Sequence, residues 1–576
     1  MARFEKFEVQ VFRDQRWVLE TTLEDEAKAK AHYQNLLKKS DNEGARVVRT
    51  KRLADGSYNE EVIAETLRKG EKKKDYSIAD ITSAPPCQSY LDLYKTESRS
   101  TIGRLLVRYI DETVITPTEL LHDSREFKRA MDAVPVAEAV DRVATLQANQ
   151  AGAPESARTR RDELFAFLDQ ALTRARPAGE QTDLPRVKSV GFAAALKLID
   201  QAAPDKDRDF LALVALTREL VERRTWPAKI AMLLGEIDKA GKDASKDGRA
   251  LPLLDGVLAD IFDARNVVSD LIGSVPDLAT YLIRLKDLCA GRAATDWPDE
   301  SPLRVVAQLF AANQLQRTRA SVLEQFQRLL RSSQPLVKTE PKAEFEAFRN
   351  LLERVITPPA LFGGPLVAEA MALRYAAFLK TGGVAGRREA ISTVASILTT
   401  AMQQVRYYVA LAGSDLGREQ SSFISTTLES FITNARRIED LVGLQGTPKT
   451  RMQEIVKIHD FLCATVTLPA KTCQSLAARL DDMIAQYLID NQVIEKMDNP
   501  GDSLRIRAMR LVQFCTSGVL TNGKATTMAR DRVLTILRQP KFEQKFTADI
   551  PDPSAQEKAL REFHQILAKT GFLAAK

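Results

Sequence analysis

GRREAISTVASILTTAMQQVRYYVALAGSDLGREQSSFISTTLESFITNARRIEDLV, residues 386–442, is the most regular stretch of the chain. Ile391, Val394, Leu398, Ala401, Val405, Tyr408 and Ala412 recur every three or four residues. After Gly413-Ser414-Asp415-Leu416-Gly417 the pattern resumes at Ile424, Leu428, Phe431, Ala435, Ile438 and Val442. A spacing close to 3.5, held over about three heptads in each arm, is how helices packed along a coiled-coil-like seam are written. Two such arms across a short glycine-bounded turn predict an antiparallel αα-hairpin. Ser392 to Gln404 carries no charge but many Ser, Thr and Gln. That uncharged polar side is expected to be enclosed by neighbours within the chain, with self-association as the alternative.

Downstream, Thr447-Pro448 opens a third arm with Met452, Ile455, Phe461 and Leu462, and a fourth carries Leu476, Leu480, Met483 and Leu488. A helical bundle over 360–490, built on the 386–442 hairpin, is the expectation. After Asn499-Pro500-Gly501 a last helical group fills 500–576, its final helix capped by Ser554 with Glu557.

Upstream, residues 100–335 read as successive helices, an irregular bundle or a solenoid without a fixed repeat period. Thr116-Pro117-Thr118-Glu119 is a helix start: threonine caps, proline fits the first turn, glutamate meets the positive helix end. Breaks are expected at 148–155, 176–185, Pro204-Asp205, 239–248, Gly273-Ser274, 291–302, Gln334-Pro335 and Thr357-Pro358-Pro359. Residues 1–68 read differently. Phe7, Val9 and Val11 alternate with Glu8 and Gln10 as a half-buried strand, and Arg13-Asp14-Gln15-Arg16 turns into a second strand at Trp17–Leu19. A helix is expected from Thr22, with Asp25 completing the cap, and strands at 45–53 and 58–67 flank the turn Ala54-Asp55-Gly56-Ser57. The fold class is therefore mainly α: a small N-terminal ββαββ module, a linker at 69–99, and a large multi-helix region ending in bundles.

The chain has 576 residues, so three or four units of about 150 residues are expected. Hydrophobic residues make up 44% and charged ones 28%, a globular balance. The net charge of +6 arises from 83 basic against 77 acidic side chains, weak for a dedicated nucleic-acid binder. Cys87, Cys289, Cys463, Cys473 and Cys515 are scattered and odd in number, which fits a reducing cytoplasm. The charged first residues do not make a secretory signal, and no apolar run is long enough to span a membrane.

Few stretches suggest chemistry. Gly518 to Lys524 spells G-x-x-x-x-G-K, but Ala525 stands where a magnesium-binding hydroxyl belongs and a helix is expected before it. A glycine-rich break, with Gly518 and Gly523 in left-handed conformations, is the reading. The 382–388 loop offers Arg387 and Arg388 to an anion. Arg505, Arg507, Arg510 and Lys524 begin a basic run, continued by Arg530, Arg532, Arg538, Lys541 and Lys545, that is a candidate contact for nucleic-acid phosphates. The run Arg68 to Lys74 reads as a solvated linker, with a phosphate- or acid-binding patch as the alternative. His459 and Cys463, four apart, read as a helical pair without metal, and Asp481-Asp482 as a solvated helix face.

No catalytic residue, cofactor or metal is expected. The leading functional expectation is a non-catalytic cytoplasmic scaffold or regulator that binds a protein partner, itself a possible homo-oligomer. The alternatives are an enzyme with an unfamiliar site, with His459, Arg387 and Lys524 as first suspects, and a nucleic-acid binder using the basic C-terminal helices.

Overall fold

Alternation of Phe7, Val9 and Val11 gives β1 (Glu5–Arg13) one apolar face, and the rest of the N-terminal module is built to cover it. In the computed structural model β1 is followed by β2 (Arg16–Leu23), α1 (Glu26–Lys38), β3 (Gly44–Arg52) and β4 (Tyr58–Leu67). The strands form one antiparallel sheet in the order β2-β1-β3-β4. Phe7, Val9, Val11, Ala45 and Val47 bury themselves against Ala29, Tyr33 and Leu36 of α1. The helix starts later than expected. Thr22 stays in the ladder opposite Glu8, and the cap is Asp25, whose Oδ1 accepts the Lys28 N–H at 2.7 Å. β-branched Thr21 and Thr22 favour the strand, and aspartate is the stronger cap. The second sheet face mixes polar and apolar side chains and is covered in part: Phe12 and Val48 are buried there, Arg46 stacks 4.5 Å over Trp17 and donates to Gln10, and Glu60 accepts from Thr225 at 2.8 Å.

The described residues are 5–13, 16–38, 44–52, 58–67, 76–150, 156–242, 248–338, 341–357, 360–379 and 383–572. Asp14-Gln15, the turn 54–57, the basic run 68–74, parts of the breaks at 148–155 and 239–248, Pro358-Pro359 and Gly382 lie outside them. The chain is mainly α, 70% helical, with the small sheet at its front. It forms two compact units: Met1–Pro276 with Arg284–Gln325, and Asp277–Ile283 with Phe326–Lys576. Among the described residues no helix is long and apolar enough to cross a membrane.

In the first unit, residues 76 onward of the stretch read as a linker lie along helices: the Tyr76 N–H donates to the Ala133 carbonyl, the Ala79 N–H to Leu105, and Cys87 is buried. Thr116 caps the helix as expected and forms a capping box with Glu119, on a helix of only six residues, Pro117–His122. The break expected at 176–185 begins later, because helix Ala157–Glu180 continues through Pro177. Helix Ala250–Asp263 is apolar on nearly every side, with Leu254, Val257, Leu258, Ile261 and Phe262 buried, yet Asp255 and Asp260 are buried with them.

In the second unit the seam positions are inward-facing, but the two continuous arms are not there. The first arm is two helices, Gly383–Ile397 and Ala401–Ala412, and the second is three, Asp415–Glu419, Ser421–Asn434 and Ile438–Val442. The break in the first arm has a local cause. Thr400 Oγ1 accepts the Gln403 N–H, and Gln403 Oε1 accepts the Thr400 N–H, both at 3.2 Å, so a capping box restarts the helix. The uncharged polar side is not enclosed by the chain either: Ser392, Ser396, Thr399 and Thr400 are exposed. Helices Pro448–Ala464 and Ala470–Asp490 form the longest uninterrupted antiparallel pair here. The last helix is capped by Asp552, not Ser554: its carboxylate accepts the N–H groups of Ser554 and Ala555.

Candidate functional site

A helix begins with N–H groups that lack intrahelical partners, and its positive end attracts an anion. This chain repeatedly supplies that anion from another helix. Glu236 accepts the Phe192 N–H at 2.6 Å. Asp255 accepts the N–H groups of Arg317 and Thr318 at 2.8 and 3.0 Å and the Thr318 hydroxyl at 2.7 Å. Asp260 accepts the Thr118 N–H and hydroxyl, and Glu369 the Leu416 N–H. All four carboxylates are buried.

The same device settles the 518–525 loop. Asp481, buried on helix Ala470–Asp490, accepts the Lys524 N–H at 2.6 Å, the Ala525 N–H at 3.2 Å and the Thr521 hydroxyl at 2.5 Å. An internal carboxylate thus occupies the place a phosphate would need. Helix Leu504–Cys515 precedes the loop, so no strand feeds it. Gly518 has the expected positive φ of 67°, but Gly523 is extended, and its glycine serves another end. A Cβ there would lie 2.2 Å from Asp481 Oδ2, so only glycine lets the carboxylate in. Asp481 is therefore no solvated face. Asp482 beside it is, paired to Lys524 Nζ at 2.5 Å.

Seven of the other basic candidates also have partners within the chain. Arg505 pairs with Asp549 at 2.9 Å, Arg510 with Asp502 at 3.0 Å, and Arg507 and Arg532 converge on buried Asp498. Arg530 donates to the Thr570 and Gly571 carbonyls and lies over Phe572. Arg387 pairs with Glu419, and Arg388 donates to Gln420 at 2.8 Å. His459 is buried with Cys463 Sγ 3.8 Å from its Nε2 and Asp460 3.1 Å from its Nδ1. Burial and then the Asp460 charge push the Cys463 thiol up, which keeps it protonated. Among the described residues no three His, Cys, Asp or Glu side chains gather to hold a metal.

One concavity lined by charged side chains was not legible in the sequence. It is a cavity of about 710 Å³ in the first unit, a volume suited to a small organic ligand. Its walls come from the turn Tyr90–Tyr94 and helices Thr96–Leu105, Ala157–Glu180, Arg208–Val221, Ala250–Asp263 and Gln316–Arg331. Arg99, 5% exposed, is its anchor. Nε meets both Asp260 oxygens at 3.1 Å, Nη1 donates to the Tyr94 carbonyl and Nη2 to the Gly256 carbonyl, each at 2.9 Å. Arg174 pairs with Asp207 and stacks 4.0 Å over Phe210. His122 packs against the Tyr94 and Phe210 rings, which also meet each other, and its Nδ1–H donates to the Thr118 carbonyl at 2.7 Å. Burial lowers its pKa to about 3, so it stays neutral at physiological pH and moves no proton there. One signal was present beforehand: two aspartates five apart inside an otherwise apolar helix must each find a buried partner. No protein-family model matches this chain, and no curated protein or solved structure matches it either.

Proposed function

We propose that the protein is a non-catalytic helical scaffold or regulator that works in the cytoplasm by holding a protein partner. The observation that carries this reading is the use of its buried carboxylates. Glu236, Asp255, Asp260, Glu369 and Asp481 each fasten the start of one helix to the side of another. Buried acidic groups used in this way hold helix faces in fixed relation, as a rigid binding surface requires. The exposed, uncharged side formed by Ser392, Ser396, Thr399 and Thr400 favours a second copy of the chain as one such partner. The nucleic-acid reading is less well supported, since Arg505, Arg507 and Arg510 would have to exchange carboxylates of their own chain for phosphates. The test is native affinity purification with light scattering on the purified chain. A stoichiometric partner that rebinds when both are pure, or a defined oligomer, is the expected result. A monomer that retains no partner overturns the reading.

A further inference from the structure

Gly256 sits in the interior of helix Ala250–Asp263, where glycine is a poor helix former. Its reason is spatial. A Cβ at this position would lie 3.0 Å from Arg99 Nη2 and 3.0 Å from Arg317 Nη1, so two guanidiniums lean over the same bare patch of helix. Both are tied to that helix: Arg99 donates to the Gly256 carbonyl and Arg317 Nη1 to the Pro252 carbonyl at 3.1 Å. Like charges held this close repel unless anions neutralise them. Asp260 neutralises Arg99. Arg317 has no carboxylate partner among the described residues. Asp255, adjacent to Gly256, is taken by the backbone N–H groups of Arg317 and Thr318. Both arginines line the 710 Å³ cavity, as does Lys206, also without an ion pair among the described residues.

The geometry points to a binding site for a small organic molecule bearing an oxyanion, a phosphate or a carboxylate, received by Arg317 beside Arg99 over Gly256. The guanidinium fork matches two oxygens of such a group, and the remaining cavity takes the body of the molecule between Tyr94, Phe210 and Leu213; of the carboxylates that also line it, Asp263 and Glu324 are paired to Arg104 and Asp209 to Arg249, while Glu97 stands at the exposed end. This goes beyond the partner reading and does not rest on it.

Isothermal titration of the full chain tests the site with phenyl phosphate, benzoate, inorganic phosphate and the cation benzamidine. The expected result is one-to-one binding of phenyl phosphate or benzoate, tighter than inorganic phosphate, weakening with added salt, and none of benzamidine. The tighter of the two organic anions names the class. Arg317→Gln, an exposed position, is expected to weaken binding at least about tenfold. Gly256→Ala places a methyl under both guanidiniums; helix propensity favours it, so the chain is expected to stay folded while affinity falls. The inference is overturned if neither organic anion binds at millimolar concentration, if inorganic phosphate or benzamidine binds as well, or if both variants bind like the parent.

Discussion

If Asp481 fills the Gly523 corner, then Gly523→Ala and Asp481→Ala damage the same thing. The carboxylate takes the Lys524 and Ala525 N–H groups and the Thr521 hydroxyl, all in a buried setting. Losing a cap costs about 1 kcal/mol, and leaving the buried donors unsatisfied adds about 2 kcal/mol, so Asp481→Ala is expected to cost about 3 kcal/mol. A methyl on residue 523 would lie 2.2 Å from Oδ2 and 2.7 Å from Cγ, so the whole carboxylate has to leave and the same bonds are lost. Gly523→Ala alone therefore also costs about 3 kcal/mol, but in the Asp481→Ala background it costs only about 1 kcal/mol, the difference between glycine and alanine at a helix N-cap. The double variant falls near 4 kcal/mol instead of about 6 kcal/mol, a clear non-additivity. Trp17, Trp226 and Trp297 all lie in the first unit, so tryptophan fluorescence does not report on this corner. Hydrogen exchange of amides in helix Lys524–Leu537, followed by mass spectrometry, does. Strictly additive losses of protection would refute the reasoning, because they would mean the methyl and the carboxylate never compete for one space.

Lys229 and Glu119 are both fully buried, with Nζ 2.5 Å from Oε1, and Glu119 Oε2 also accepts the Thr116 N–H at 2.8 Å. Lys229→Met strands that carboxylate and is expected to cost about 3–5 kcal/mol in urea denaturation, while adding Glu119→Gln restores most of it; equal losses in the single and double variants would show that packing, not charge, is at stake. Asp111 has a buried Oδ1 with no hydrogen-bond partner among the described residues, and burial raises its pKa from 3.8 to about 7. The fold thus prefers its protonated form: this contribution is full below pH 3.8 and is lost as pH rises through 7. Asp111→Asn is expected to stabilise the chain by about 2 kcal/mol at pH 8 and not at pH 4, and a urea midpoint shift that ignores pH would contradict this.

The sequence revealed what local rules govern. The ββαββ module is in place because strand alternation and the Asp25 cap act over a few residues. Ile391, Val394, Val405 and Ile424 are buried as their spacing requires. Periodicity says which side faces inward, not whether the backbone is continuous, and so it ran across the break at Thr400. The Thr400-x-x-Gln403 box was the visible marker. The candidate site was illegible for a different reason. Arg99 and Asp260 are 161 residues apart, and Thr318 is 63 from Asp255. No spacing rule links such residues, and a buried aspartate in an apolar helix announces that a partner exists without naming it. The partners of the basic C-terminal run were illegible in the same way, since Asp498 and Asp549 reach Arg507, Arg532 and Arg505 from outside the helices that carry them.

The path of the chain between its two units bears on how it is cut for experiments. Residues 277–283 belong with 326–576, although 284–325 intervene. A product starting at 326 would lack Leu282, which is wholly buried, and would leave the Leu336 carbonyl without the Ala279 N–H that reaches it at 3.1 Å. The boundaries after Ile283 and Gln325 fall inside helices, Leu278–Cys289 and Gln316–Arg331, so a gene split at either cuts a helix and yields two incomplete halves, and the two pieces have to be produced together.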